Sequence, residues 1–240
     1  MNQTFKLLTL LLAVTLLTGC NKTEELDFTR NITEHFDKEF ALQLEKREYI
    51  TDATKITYAD VKDIKNLEVG FGKLTSLSGI EYFSALDTLY CQQNWLTTLD
   101  VSKNTALTYL ICTGNRLTTL DFSKNTVLTK LHCDSNQLTA LDISNNTALE
   151  QLYCGNNKLT ELDISNNTAL VRLYCPFNQL TTLDVSNNMT LDALSCEFNP
   201  GNGAAFPVTA WFDNNSIPNT LTRARWDYNG NWINIEYIKK

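Results

Sequence analysis

Apolar and polar residues recur with a period of 21 between Leu86 and Asn199. Each copy reads L-x-x-L-x-C-x-x-N-x-L-T-x-L-D-x-S-x-N-x-x. The second leucine and the cysteine are two residues apart, so they point to one side of a short strand, and the residue between them points to the other side. This leucine recurs at Leu89, Leu110, Leu131, Leu152, Leu173 and Leu194. With a degenerate copy at Leu67, the pattern predicts a mostly β solenoid (α+β in class) with about seven parallel strands, stacked about 4.8 Å apart.

Cysteine and asparagine also keep fixed positions in the repeat. Each cysteine precedes an asparagine by three residues, as Cys112 precedes Asn115. Six thiols would suggest disulfides if the chain is exported. Neighbouring side chains on parallel strands, however, do not readily reach the torsion of about 90° that a disulfide needs. Free, buried thiols are therefore predicted, with metal or redox use as the alternative. The asparagine amides can pair the backbone groups that the turn leaves free, and stacked copies are expected to share amides along the column.

The L-x-x-L-x-C-x-x-N-x-L pattern is similar to the leucine-rich repeat signature, in which cysteine replaces the third leucine and asparagine closes the turn after the strand. Residues 56–83 are also similar to the helical N-terminal cap and first repeats of internalin-type proteins, including the sequence Gly79-Ile80-Glu81-Tyr82. The resemblance implies a curved leucine-rich repeat sheet and a binding protein without catalysis. It leaves the target open, because internalins share a scaffold while their targets differ.

Asp, Ser and Asn recur on the opposite side of each copy, as Asp100, Ser102 and Asn104 do. Such side chains bond their own following backbone, which predicts a short extended return without convex helices. The aspartates form a column of Asp100, Asp121, Asp142, Asp163 and Asp184. Calcium binding is the alternative for this column, but calcium-binding solenoid repeats are rich in glycine and this return is not. No metal site is predicted.

The repeats are predicted to span residues 66–200, and the segments before and after them are predicted to be caps. Phe36, Phe40 and Leu44 have helical spacing within an N-terminal cap at 33–65, with Thr33 as the N-cap and a second short helix at 58–64. The C-terminal cap at 201–240 alternates on both sides of Asn229-Gly230, which predicts a β-hairpin. We expect this hairpin to cover the last strand of the solenoid, whose edge is otherwise unpaired.

Residues 1–20 have the features of an export signal, with Lys6 before an apolar run that is too short to cross a bilayer. The end of this segment, Leu17-Thr18-Gly19-Cys20, resembles the bacterial lipoprotein signal, which implies a lipid on Cys20, a tether at 21–32 and a place in the cell envelope, at the outer membrane or the cell surface. A plain cleaved signal is the alternative. The net charge of −7 argues against nucleic acid as a partner.

Catalytic residues are not evident. The chain has two histidines, one in the predicted cap and one in the sheet, too few for a triad or a zinc site. No cofactor is predicted. A hydrolase hypothesis depends only on the carboxylates Asp134, Asp192 and Glu197, without a recognisable pocket motif.

The outward positions of the strands vary from copy to copy while leucine, cysteine and asparagine do not. These positions form the concave face, which carries more tyrosine than a solvated surface needs, and tyrosine with arginine is typical of binding hot spots. The alternative is that aromatic residues here simply favour strands. The candidate binding residues are Tyr90, Tyr109, Ile111, Lys130, His132, Asp134, Gln151, Tyr153, Arg172, Tyr174 and Phe177.

The sequence therefore predicts a monomeric, non-catalytic surface protein that binds a protein or an oligosaccharide through the concave face. The alternative is a structural or accessory subunit of an envelope complex that docks through the C-terminal cap, where tryptophans are concentrated.

Overall fold

A computed structural model describes residues 27–212, 216–218, 221 and 225–240. The predicted signal segment 1–20 with Cys20 and residues 21–26 of the predicted tether lie outside the described residues. The side chains of 225–227 and of Trp232 are also outside the description.

The repeats form one sheet of seven parallel strands, which confirms the predicted leucine-rich repeat solenoid. The strands pair in register, leucine beside leucine, as Leu110 lies between Leu89 and Leu131. In order across the sheet they are β1 (Asn66–Glu68), β2 (Thr88–Tyr90), β3 (Tyr109–Ile111), β4 (Lys130–His132), β5 (Gln151–Tyr153), β6 (Arg172–Tyr174) and β8 (Ala193–Ser195).

Leucine and cysteine of each strand point into one continuous core. Leu110 and Cys112 are fully buried, while Ile111 between them stays partly exposed, as strand alternation requires. All six repeat cysteines are buried free thiols, which confirms that prediction. Burial raises the pKa of the Cys91 thiol to about 12, so this sulfur is protonated at neutral pH and packs as a small apolar group.

The asparagine that follows each strand links two consecutive turns. The Asn115 amide donates to the carbonyl oxygens of Cys112 in its own turn and Cys91 in the preceding one, at 2.9 and 3.0 Å. Its Oδ1 accepts from the Leu96 backbone N–H at 3.0 Å. The expectation that the amides bond one another is wrong, because the backbone of the two turns takes up these hydrogen bonds.

A second asparagine column lies on the return side, and the sequence reasoning misplaced it. Asn104, predicted to bond its own following backbone, is fully buried and donates to the carbonyl oxygens of Ile80 and Phe83 in the preceding turn. The same arrangement recurs at Asn125, Asn146, Asn167 and Asn188. Two ladders of amides, one at each side of the core, therefore join every turn to the next.

The aspartates of the return do bond their own backbone, as predicted. Asp142 Oδ1 accepts from the Ser144 N–H at 2.9 Å, and the other members of the column make the same contact. This hydrogen bond lowers the pKa of Asp142. Between β2 and β8 the chain contains no helix, so the return is extended, as the fold prediction states.

The N-terminal cap holds two helices, α1 (Lys38–Lys46) and α2 (Tyr58–Val61), preceded by a 3-10 turn at Thr33–His35. Thr33 is not the N-cap of α1. Asp37 has that role, because its carboxylate accepts from the Phe40 N–H at 3.0 Å. None of the helices in the described ranges is long and apolar enough to cross a membrane.

The C-terminal cap is a second sheet formed by β7 (Leu183–Asp184), β9 (Ala205–Ala210), β10 (Arg225–Tyr228) and β11 (Asn231–Lys239). The predicted hairpin is present as β10 and β11, and Asn229 and Gly230 both have positive φ, as a tight hairpin turn needs. Its expected position is wrong: β11 pairs with β9, and β9 pairs with β7 on the return side, not with the edge of β8. The sequence concealed β9, since Pro207 interrupts its strand pattern.

The second asparagine column predicts a large difference between two adjacent residues. The carbonyl oxygens of Phe122 and Asn125 each accept one backbone N–H and one Asn146 N–H. Asn146→Ala removes the second hydrogen bond of each and opens a cavity, so we expect it to lower the free energy of unfolding by about 1–3 kcal/mol. Asn145→Ala, next to it but exposed, should change the free energy by less than about 0.5 kcal/mol. Urea denaturation measures both, and equal effects would contradict the buried ladder.

Candidate binding surface on the concave face

Five aromatic side chains form a continuous row across the outward side of β2 to β6. Ring centroids are 5.5 Å apart from Tyr90 to Tyr109 and again from Tyr109 to His132, with the rings edge to face. The His132 ring lies 4.2 Å from that of Tyr153, which stacks on Tyr174 at 4.5 Å with an angle of 10°. Because the strands stack in register, each turn adds one ring, and the row becomes a single surface about four strand spacings long.

Two cations border this row. Lys130 Nζ lies 5.3 Å from the centroid of the Tyr109 ring, within cation–π distance, and Arg172 is exposed at the start of β6. Burial, with a smaller contribution from Lys130, lowers the pKa of His132. His132 is therefore neutral at physiological pH. Its Nε2 is buried and makes no hydrogen bond with any described residue.

Asp134 is the half-buried carboxylate of the concave face. One oxygen accepts from the Gly155 N–H at 3.0 Å, and the other lies 3.5 Å from the Thr113 hydroxyl. Burial raises the pKa of Asp134 despite these hydrogen bonds. The side chain thus joins neighbouring turns, and its charge carries a desolvation penalty.

The structure brings ten of the eleven predicted binding residues onto the outward side of neighbouring strands and of the segments that follow them. All are partly exposed or exposed: Tyr90, Tyr109, Ile111, Lys130, His132, Asp134, Gln151, Tyr153, Arg172 and Tyr174. Phe177 lies apart from the row. It stacks on Phe198 with centroids 4.2 Å apart and is 54% exposed.

Phe177 and Phe198 belong to a column that sequence reasoning missed. The residue two positions after each inward cysteine has positive φ, and so has the matching residue of the first repeat. This column consists of Phe71, Gln93, Gly114, Ser135, Asn156, Phe177 and Phe198. Glycine and asparagine are common in this conformation, whereas phenylalanine is an outlier. The sequence offered one signal of this conformation: the column contains Gly114 and Asn156, two residue types that favour positive φ.

The carboxylates of the hydrolase hypothesis are too far apart to act together. Asp134 and Glu197 occupy the same column three turns apart, which is about 14 Å. Asp192 and Glu197 lie five residues apart along an extended segment, about 16 Å. Paired carboxylates of glycosidases are about 5–9.5 Å apart. The described residues contain no group of three or more His, Cys, Asp or Glu side chains that could hold a metal ion.

The seven in-register strands, the inward leucines and the ladder of turn asparagines define a leucine-rich repeat fold. No protein-family model matches the chain. No curated protein matches it in sequence either.

Solved structures do match. The functional domain of InlJ from Listeria monocytogenes, which includes a cysteine ladder, is 30% identical with a TM-score of 0.51, and the alignment covers 79% of this chain and 54% of that one. The chain thus spans about half the length of that domain. Internalin C2 from Listeria monocytogenes matches with 19% identity and a TM-score of 0.55 over 91% of this chain and 100% of its own. The ectodomain of the Arabidopsis thaliana receptor kinase GASSHO1/SCHENGEN3 has a TM-score of 0.57 at 22% identity, over 73% of this chain and 23% of its own.

The chain shares the leucine-rich repeat fold of these internalin neighbours. The internalin-like fold is typically non-catalytic. The likenesses below 25% identity establish the fold alone.

Asp134 and Asp142 should respond to neutralisation in opposite ways. Asp134→Asn keeps an acceptor for Gly155 and removes a charge that burial penalises, so we expect it to raise the free energy of unfolding at pH 7. The folded pKa of Asp134 is raised, so the penalty exists where the carboxylate is ionised and disappears as the pH falls. The variant and the parent should therefore be equally stable at about pH 3.

Asp142→Asn is the matched control on the return side. The folded pKa of Asp142 is lowered, so the ionised carboxylate stabilises the fold above the unfolded pKa, and its loss should lower the stability at pH 7. Urea denaturation at several pH values measures both variants. A lower stability of Asp134→Asn at pH 7 would contradict the assignment.

Proposed function

We propose that this chain is a non-catalytic binding protein of the bacterial cell envelope that recognises a protein or glycan partner through the concave face. The observation that supports this most directly is the continuous row of five rings from Tyr90 to Tyr174. The similarity to InlJ supports a surface protein of this fold.

The aromatic row has the properties of a binding surface. Its rings are only partly buried, so they keep apolar area that a partner can remove from water, at about 25 cal/mol per Å². Tyrosine hydroxyls, Lys130 and Arg172 supply hydrogen bonds and charge around that area. The seven strands give a face about 29 Å long, which suits one small protein domain or an oligosaccharide.

The membrane anchor is part of the same proposal. The sequence Leu17-Thr18-Gly19-Cys20 supports lipid attachment at Cys20, with a short acidic tether before the folded part. Such an anchor would hold the solenoid at the outer membrane or at the cell surface.

The C-terminal cap supports the binding function by closing the core, and this disfavours the accessory-subunit alternative. Phe206, Val208, Ile233 and Tyr237 are buried, so these residues of the second sheet face the protein interior.

Deletion of 223–240 should therefore cause unfolding or aggregation. A soluble, folded monomer after this deletion would favour docking through the cap.

The aromatic row predicts a loss of binding without a loss of stability. Tyr153→Ala with Tyr174→Ala removes the stacked pair from the middle of the row, and both side chains are partly exposed. With the fragment 21–240 on a glycan and protein array, we expect binding of the identified partner to weaken at least about 100-fold, as for hot-spot residues. The melting temperature should stay unchanged.

A matched control is available on the return side. Val127→Ala with Met189→Ala removes two apolar side chains that are 45% and 70% exposed, away from the concave face. This double variant should bind as the parent does. Unchanged affinity of the tyrosine variant for the partner would refute the concave face as the binding site.

The anchor has its own test. Cys20→Ser removes the acylated thiol, so we expect the chain to leave the membrane fraction and to lose incorporation of labelled palmitate. Protease added to intact cells then distinguishes the cell surface from the periplasm for the parent chain. A Cys20→Ser variant that remains membrane-bound and labelled would exclude lipid attachment at this residue.

A further inference from the structure

A second surface runs along the side of the solenoid, beyond the turn that ends each strand. Each of its residues directly follows an asparagine of the ladder beside the strands, such as Asn115, or the equivalent Gly72 in the first repeat. Every one is exposed. We name this surface the lateral strip: Lys73, Trp95, Arg116, Gln137, Lys158 and Gln179. It holds three cations and no carboxylate, in a chain whose net charge is −7.

Negative and positive side chains therefore lie in different columns of the solenoid. The return side carries the aspartate column from Asp100 to Asp184, while the lateral strip is positive. None of the ion pairs within the described ranges involves Lys73, Arg116 or Lys158. Three unpaired cations on one side of an acidic protein produce a local positive potential that attracts anions.

Trp95 holds two of these cations in place. Lys73 Nζ lies 5.7 Å and the Arg116 guanidinium 5.1 Å from its ring, both within cation–π distance. Lys73 belongs to the turn before Trp95 and Arg116 to the turn after it. The indole, which is 42% exposed, therefore lies between two like charges and orders both of them without neutralising either.

The backbone under the strip has a constant spacing. The N–H groups of Trp95, Arg116, Gln137 and Lys158 each donate to a leucine carbonyl oxygen of the preceding turn, at 2.8–2.9 Å. One turn therefore follows another at about 4.8 Å. The cations occupy every second turn, so their stems recur about every 9.6 Å, and uncharged side chains occupy the turns between them.

The positions beside the strip add hydroxyl groups. Within the repeat, the residue two after each strip position is an exposed threonine: Thr97, Thr118, Thr139, Thr160 and Thr181. Amide, hydroxyl and indole groups next to cations are the partners that sugar hydroxyls, sugar rings and acidic substituents require. A sugar residue in an extended chain is about as long as one strand spacing.

We propose that the lateral strip binds an extended anionic polysaccharide that carries an acidic group on every second sugar. Each turn of the solenoid then meets one sugar. The acidic sugars lie at Lys73, Arg116 and Lys158, and the sugars between them lie at Trp95, Gln137 and Gln179. This site is separate from the concave face, so it does not depend on the function proposed above.

The probe is hyaluronate, whose uronate recurs on alternate sugars, with chondroitin sulfate as a second chain of the same alternation. We expect the parent chain to bind both at low salt and to lose affinity as salt rises. Lys73→Gln with Arg116→Gln should weaken binding at least about tenfold, since two charged contacts are lost. Trp95→Ala should weaken it as well, because the two cations lose their support.

The matched control is Lys103→Gln with Lys124→Gln, which makes the same charge change at exposed positions of the return side. It should retain parental affinity, as should Tyr153→Ala with Tyr174→Ala. Equal loss in the return-side control would mean that only net charge matters, and would overturn the proposal. So would tighter binding of polyglutamate than of hyaluronate, equal binding of uncharged dextran, or absence of binding to both anionic chains. Melting temperatures of all variants should equal that of the parent.

Discussion

The hydrogen bonds from buried asparagine amides to the backbone of the neighbouring turn are the interaction on which the structure depends. Each turn of a solenoid bends sharply and leaves backbone groups that no strand can pair, and an unpaired buried group costs about 1–3 kcal/mol. Asn115 and its equivalents satisfy such groups beside the strands. Asn125 and its equivalents, beside the returns, add a second hydrogen bond to carbonyl oxygens that already accept a backbone N–H of their own turn. Because each amide contacts two turns, the ladders also fix the register of the stack.

A fixed register turns each position of the repeat into a straight column. Inward columns are uniform, since leucine and cysteine must fill the same space in each turn, as Leu131 and Cys133 do. Outward columns carry no such restriction. They differ from one another in charge and in aromatic content, so one scaffold presents an aromatic row, a positive lateral strip and an acidic return on separate sides. The separation is a property of the columns and needs no change of fold.

Features that the 21-residue period determines could be predicted from the sequence. Features that depend on contacts between distant parts of the chain could not. Strands, inward thiols and the first asparagine column follow from spacing alone. Asn125 stands in the polar run D-x-S-x-N, and nothing local distinguishes a buried amide from an exposed turn there, because its partners lie in the preceding turn. Thr33 and Asp37 are both good N-cap residues, so the choice between them depends on how the cap packs on the first repeats. The pairing of β9 with β7 and β11 is non-local, and Pro207 conceals it.

The candidate site was partly predictable for the same reason. Counting from the cysteines identified the ring positions of the row, but ring contacts such as Tyr153 with Tyr174 appear only when the strands are stacked in register. The lateral strip was missed because its cations lie 43 and 42 residues apart, with an aromatic and an amide between them. No run of charge reveals them in the linear sequence.

The column of positive φ shows that the buried core and the ladders impose a backbone conformation on residues that face outward. Backbone geometry at the turn forces this conformation in each repeat, which a non-glycine residue adopts at a cost of about 1–2 kcal/mol. Gly114 and Asn156 tolerate it, whereas Phe71, Phe177 and Phe198 adopt it with φ of 60°, 53° and 59° while remaining exposed. Neither burial nor local conformation favours phenylalanine there. The two ladders and the core therefore supply enough stability to hold side chains that the turn itself disfavours, and the outward columns can vary within that margin.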